Sequence, residues 1–353
     1  MESTLSALTR ARGAKISEFS GWQMPAHYGD TNAEVRAAHQ TAVLLDASHW
    51  GRLLICGADH LGFLHRMTTN HFESLKPGSG LRAVFPDNRA RILDLGTFYR
   101  RSDATLVVLS PQAAASILPW LDRYLFAEKV ELREVTDGSA MIELAGPEAV
   151  RIAMENLDID LSSVPPDHLL ESSADLWLAR LDRCGHPGLR AAGNPDVIGE
   201  LWEKLEAAGA SPAGELAWEI LRVEDGLPAY GRELTDDHNP WEAGLDDTIH
   251  MNKGCYIGQE VIARLDSYDK VKQHLVGLRW TEGPLPPPDT ELTIDGKAVG
   301  RATSAVHSPH LNQNIGLAYV RRAHCESGTH LAFTIDDHKQ VVEVTALPFS
   351  PGA

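Results

Sequence analysis

The chain has 353 residues, 43% of them apolar, which is enough for two or three folded cores at ~100–200 residues per domain. Its 49 acidic against 32 basic residues leave a net charge of −17, a field that repels duplex nucleic acid and argues against direct DNA binding. No apolar run approaches the ~18 residues of a membrane helix, and the polar first fifteen residues lack the apolar core of a secretory signal, so a cytoplasmic protein with no membrane partner is expected.

From Asn32, the apolar positions Val35, Ala38, Val43 and Leu44 predict a short amphipathic helix. Residues 52–55 read as a strand, and 58–67 as a helix with Asp59 as its N-cap. Residues 81–85 and 92–99 form a hairpin around Pro86-Asp87-Asn88. A strand over 106–109 leads to Pro111, which is expected to open a helix reaching Leu125. A strand over 130–135 closes this unit. A second unit follows, with strands at 140–144 and 176–181 and helices from Pro147 to Leu157, from Val197 to Ala208 (ended by Gly209) and over 216–224. Two ferredoxin-like α+β domains are the natural interpretation. The proline-rich 283–289 breaks the chain. Beyond it, Asp295-Gly296 between apolar runs marks a tight hairpin, and the text to the end reads as a small β-barrel.

The four cysteines, Cys56, Cys184, Cys255 and Cys325, are at least 70 residues apart, so they write neither a zinc knuckle nor a disulfide scaffold. They read as free thiols. Sixteen histidines include no H-E-x-x-H pattern, and no metal site is expected. Cys255 is the distinctive one. It lies in Lys253-Gly254-Cys255-Tyr256-Ile257-Gly258-Gln259-Glu260, bracketed by glycines that permit a bent, exposed backbone. Apolar periodicity at Val261, Ile262 and Leu265 predicts a helix just after it. A helix N-terminus and the nearby Lys253 would both favour a thiolate. The alternative is a buried, inert thiol, the commoner fate of free cysteine. The residues alone leave both open.

At this point the motifs carry a resemblance. Phe19-Ser20-Gly21-Trp22-Gln23-Met24-Pro25, Asp46-Ala47-Ser48-His49-Trp50 and Leu221-Arg222-Val223-Glu224-Asp225-Gly226 resemble, in order, F-x-G-W-x-M-P, D-x-S-H-M and L-R-x-E-x-G of the glycine cleavage T-protein. Residues 300–304 and 316–320 resemble the final-domain strands of the same superfamily, named YgfZ/GcvT. The segment 253–260 is similar to K-G-C-Y-x-G-Q-E, the signature of its YgfZ branch. Departures from the T-protein point the same way. The T-protein hairpin carries two adjacent aspartates, and here only Asp94 stands, followed by Leu95. Its Y-T-G-E is Arg183-Cys184-Gly185-His186, and its A-R-D is Ala217-Trp218-Glu219.

The resemblance implies a three-domain ring. A folate-binding α+β domain would comprise 1–51 and 138–250, an inserted ferredoxin-like domain 52–137 and 251–272, and the barrel 273–353. It implies tetrahydrofolate as the bound small molecule, with no permanent metal or cluster. It further implies an accessory role in assembling or repairing iron–sulfur clusters of client enzymes, including tRNA-modifying ones. The alternative activity is folate-dependent aminomethyl transfer. Cys255, Lys253 and Asp94 are the candidate catalytic residues. Trp22, Asp94, Glu224, Tyr230 and Glu242 are the candidate folate contacts. Arg82, Arg89, Arg91, Arg100 and Arg101 form a basic island that would either steer a polyglutamate tail or be a solvated hairpin face.

Overall fold

Each sheet forms where apolar residues alternate or run together over strand length. In the computed structural model, which describes residues 1–268 and 270–349, the chain opens with α1 (Ser6–Ala11) and the hairpin β1 (Lys15–Phe19) and β2 (Trp22–His27). Helix α2 (Thr31–Gln40) is capped by Asp30, whose side chain accepts from Asn32 N–H at 2.9 Å. Val43 and Leu44 do not extend this helix, as their spacing suggested. They belong to β3 (Val43–Asp46), buried on both faces, where an unbroken apolar run replaces alternation.

β4 (Trp50–Cys56), α3 (His60–Met67), β5 (Gly80–Pro86), β6 (Ile92–Arg100), β7 (Ala104–Pro111), α4 (Ala114–Asp122) and β8 (Glu131–Glu134) build one unit, with strand order β5-β6-β7-β4-β8. Both helices pack on one face, where Phe63, Phe85, Phe98, Ile117 and Trp120 share a core. Two expectations shift. Asp59 precedes α3, but its carboxylate accepts from Lys129 N–H at 2.7 Å instead of capping the helix. Pro111 ends β7 opposite Trp50, since a residue without N–H is tolerated at a strand terminus, and the helix begins three residues later.

The chain then returns to β3. β9 (Ala140–Ala145), α5 (Ala149–Leu157), β10 (Leu169–Ser172), β11 (Leu176–Arg183), β12 (His186–Gly193), α6 (Pro195–Ala207), β13 (Ser211–Ala213) and α7 (Glu215–Glu224) follow. The sheet order β10-β11-β12-β9-β3-β13 joins residues before and after the first unit. β12 was not expected. Cys184 and Gly185 form the two-residue loop that turns β11 into it, both with positive φ (53° and 75°), the geometry of a tight hairpin.

Helix α8 (Gln259–Ser267) lays Ile262 against Ala90 and Ile249, beside the β5–β6 hairpin. β14 (Gln273–Trp280), β15 (Glu291–Ile294), β16 (Lys297–Ser308), β17 (Gln313–Arg321), β18 (His330–Ile335) and β19 (His338–Thr345) close a barrel in the order β14-β17-β16-β15-β18-β19. Asp295 and Gly296, at φ 50° and 74°, make the expected tight turn. The architecture is α+β with a C-terminal barrel. Residues 269 and 350–353 of the expected domain spans lie outside the described residues.

Candidate functional site

A cavity of about 1080 Å³ opens between the two α+β sheets and α7. Its aromatic lining is Phe19 at the end of β1, Trp50 at the start of β4, Trp218 on α7 and Tyr230 beyond that helix. Trp50 meets Trp218 edge-on with centroids 5.8 Å apart, and the Arg183 guanidinium lies 4.6 Å over the Trp218 ring.

Charge in this wall is buried and paired. Arg190 on β12 donates to Glu143 Oε1 at 2.5 and 2.9 Å and to Tyr99 OH at 3.0 Å. Arg183 lies 3.4 Å from the second oxygen of Glu143. Burial alone would raise the Glu143 carboxyl, but Arg190 and Arg183 outweigh it and hold it below its ordinary value. On α7, Arg222 binds Glu219 at 2.6 Å, Glu233 at 3.1 Å and Ser304 Oγ of the barrel at 2.5 Å, tying the cavity floor to the third unit.

Glu215 behaves differently. It sits in the first turn of α7, lines the cavity and lies 3.6 Å from His49 Nε2. Burial, then the neighbouring Asp46, Glu219 and Glu143, raise its carboxyl well above the ordinary range. Burial and the Arg52 charge push His49 down to about 3, so its ring is neutral, and its buried Nδ1 has no partner among the described residues. A carboxyl with raised proton affinity beside a neutral imidazole suits an uncharged polar heterocycle better than an anion. Sequence reasoning passed over Glu215. The available signal was an acid in the first turn of a helix, directly after Gly214, on the face that also carries Trp218, Glu219 and Arg222.

Of the expected folate contacts, Tyr230 lines this cavity. Asp94 does not. The strand period turns Leu95 and Thr97 of β6 to the cavity and Asp94 to the opposite, aromatic face. There Asp94 Oδ2 accepts from Ser110 N–H at 2.9 Å, Oδ1 has no partner among the described residues, and burial raises the carboxyl to about 7. Trp22 is buried in β2, away from the cavity lining. Glu224 accepts from Ser308 Oγ at 2.5 Å and contacts His39 Nε2 at 2.6 Å, bracing α7 against the barrel. Glu242 accepts from Asn239 N–H at 3.2 Å and lies 3.8 Å from His238.

Cys255 is exposed and lies four residues before α8, outside the cavity lining. Lys253 is buried, and its ammonium donates to the carbonyls of His65, Thr68 and Asn70 at 2.5–2.7 Å. It pins the segment 253–260 to the end of α3 and is not directed at the thiol, against the expectation that it would favour a thiolate. In the basic island, Arg82 pairs with Asp247, Arg89 with Asp87 and Arg101 with Asp103, while Arg91 donates to Asp237 O. Of these four, Arg82 alone lines the cavity.

Residues 5–253 match the GCVT N-terminal domain, and residues 273–350 match the glycine cleavage T-protein C-terminal barrel domain. A protein of Arabidopsis thaliana, provisionally named a chloroplastic transferase, is 35% identical over 340 residues, 95% of this chain and 77% of its own length. An aminomethyltransferase of Rubrobacter xylanophilus is 32% identical over 316 residues, 88% of this chain and 84% of its own. The glycine cleavage system aminomethyltransferase T of Bartonella henselae shares the fold, with a TM-score of 0.92 at 22% identity over 99% of this chain and 98% of that one.

Proposed function

The chain belongs to the glycine cleavage T-protein family, and from that premise we propose that its central cavity binds tetrahydrofolate. We further propose that the protein acts as an accessory factor in assembling or repairing iron–sulfur clusters of client enzymes, tRNA-modifying ones among them, through Cys255. The cavity suits the ligand. Trp50, Trp218 and Tyr230 offer flat faces for a pterin and an aminobenzoyl ring. Glu215, with the neutral His49 ring beside it at the lining, offers the polar partner a pterin edge needs. Arg82 and Arg232, partly exposed at the lining, suit the glutamyl carboxylates. Bound tetrahydrofolate would supply a nitrogen able to carry a one-carbon unit.

What favours an accessory role over transfer is the residue at the cavity wall. Where the T-protein hairpin has its second aspartate, this chain turns Leu95 to the ligand, while Asp94 faces the core. An apolar wall there positions no carboxylate against the reacting amine. Of the four free cysteines, Cys255 is exposed and the other three are partly buried, so it is the thiol open to a large partner. One thiolate cannot hold a stable cluster alone, so its part would be transient. The test is complementation. In cells lacking the protein, Cys255→Ala should bind folate normally yet fail to restore iron–sulfur enzyme activity. Full rescue by this variant would sink the accessory reading.

Aminomethyl transfer is the second reading, and Glu215 favours it. A buried cavity carboxyl that holds its proton more tightly than an ordinary one is suited to proton transfer. Under this reading the purified protein releases methylenetetrahydrofolate from an aminomethylated lipoyl carrier, and Glu215→Gln stops it. Absence of turnover by the wild type removes the reading.

A further inference from the structure

Away from the cavity, three imidazoles and a carboxylate converge beside the segment that carries Cys255. His65 lies near the end of α3, and His71 and Glu73 lie in the connection to β5. The His65 and His71 rings meet edge-on with centroids 4.8 Å apart, and the His250 ring is 5.1 Å from His71. One ligand atom each from His65, His71 and Glu73 lies within 4.8 Å of the others.

We propose that His65, His71 and Glu73 bind one divalent transition ion, zinc or ferrous iron. Two imidazoles and a carboxylate are a ligand set shared by these ions, and it leaves coordination positions open. The cluster is preorganised. Ser74 Oγ lies 2.9 Å from His71 Nδ1, a contact that orients the ring and leaves Nε2 for the ion. Lys253 donates to the carbonyls of His65 and Asn70, fixing the backbone on which the ligands stand. Glu73 is exposed and makes no hydrogen bond or ion pair among the described residues, so its carboxylate is free to close on an ion.

Tetrahedral ligands at about 2.1 Å from zinc stand about 3.4 Å apart, so the site contracts by roughly 1 Å on loading, mostly through the Glu73 side chain. His65 gives up a long contact, Phe72 N–H to its Nδ1 at 3.3 Å, whichever nitrogen it uses. The segment 253–260 passes over this ring. A Cβ on Gly254 would stand 3.5 Å from His65 Nε2, and the next residue is Cys255. An ion here therefore lies beside the one exposed thiol, open to a partner's ligands. The inference goes beyond the folate reading and does not depend on it.

The test uses the full chain, stripped with a chelator. It is titrated with Zn(II), and separately with Fe(II) without oxygen, each against a chromophoric competitor. One equivalent of either ion should bind, with Zn(II) the tighter, as the affinity order of divalent ions requires. Glu73→Gln and His71→Ala should each weaken it by about 10–100-fold. Each variant's metal-free unfolding midpoint is compared with the wild type. Should His71→Ala misfold, the exposed Glu73→Gln decides alone. Uptake of neither ion, or affinity unchanged in correctly folded variants, overturns the site.

Discussion

The wall of the central cavity and the segment at 253–260 both hold a buried cation, and they satisfy it in opposite ways. In the wall, Arg190 is matched by the carboxylate of Glu143, which Arg183 also approaches, so the charges offset one another out of water. In the segment, Lys253 hydrogen-bonds no carboxylate among the described residues, and Glu73 acts on it only as a nearby charge. Three backbone carbonyls take its three N–H groups, and the ammonium serves as a peg. The difference teaches that a cation two residues from a cysteine says little about that thiol. What the cation's own hydrogen bonds are spent on decides whether it tunes chemistry or holds backbone.

The comparison breaks first in the wall. Glu143→Ala strips Arg190 and Arg183 of their carboxylate, and urea unfolding should show a loss of about 3–5 kcal/mol. A loss below about 1 kcal/mol would mean the wall is not held by this pair.

Asp94 is the unmatched charge behind the same wall, and its effect depends on pH. Its folded carboxyl titrates at about 7, above the ~3.9 of an unfolded aspartate, so the folded state binds the extra proton. The stability this lends is full below about pH 4 and is lost as pH rises through 7. Asp94→Asn should therefore stabilise the protein at pH 8, by up to about 4 kcal/mol, and flatten the pH profile between 4 and 8. A profile as steep as the wild type's would place the titration elsewhere. Because Asp94 faces away from the cavity, folate affinity should not change.

For the segment, Lys253→Met leaves three carbonyls unpaired and should cost about 2–3 kcal/mol in the same unfolding assay. Were the lysine a thiol activator instead, stability would hold and only the alkylation rate of Cys255 would fall. In the cavity, Trp218→Ala removes a ring face and should weaken tetrahydrofolate binding about tenfold, near 1.4 kcal/mol. The smallest effect belongs to Cys255→Ser. An exposed side chain in a segment pinned by another residue should change stability by less than about 0.5 kcal/mol, and a larger loss would show that the thiol is packed.

Most elements were legible because period and turn chemistry are local. The Asp295-Gly296 hairpin, the helix ended by Gly209 and the Pro86-Asp87-Asn88 turn all stand where the residues put them. The errors came where a local signal had two uses. Pro111 can open a helix or close a strand, and pairing with Trp50 chose the strand. Residues 183–186 drew attention as a motif, which hid the hairpin turn they make and the strand β12 after it.

The site was less legible because it is assembled across elements. His49, Arg190 and the α7 pair Glu215 and Trp218 come from three separate stretches that only the closed arrangement of the sheets brings to one cavity. A motif marks Asp94, but the two-residue period of the strand decides that Leu95, and not Asp94, faces the cavity. The histidine cluster was missed for the same reason. His65 lies near the end of a helix and His71 in a loop, so no helical spacing announces them.

The central claim is that folate binding belongs to the cavity and is separable from the thiol. Calorimetric titration of tetrahydrofolate into the wild type, Cys255→Ala and Trp218→Ala tests it most directly. Equal binding in the first two, with affinity about tenfold weaker in the third, is the predicted result. No binding by the wild type, or loss of binding on removing Cys255, would contradict it.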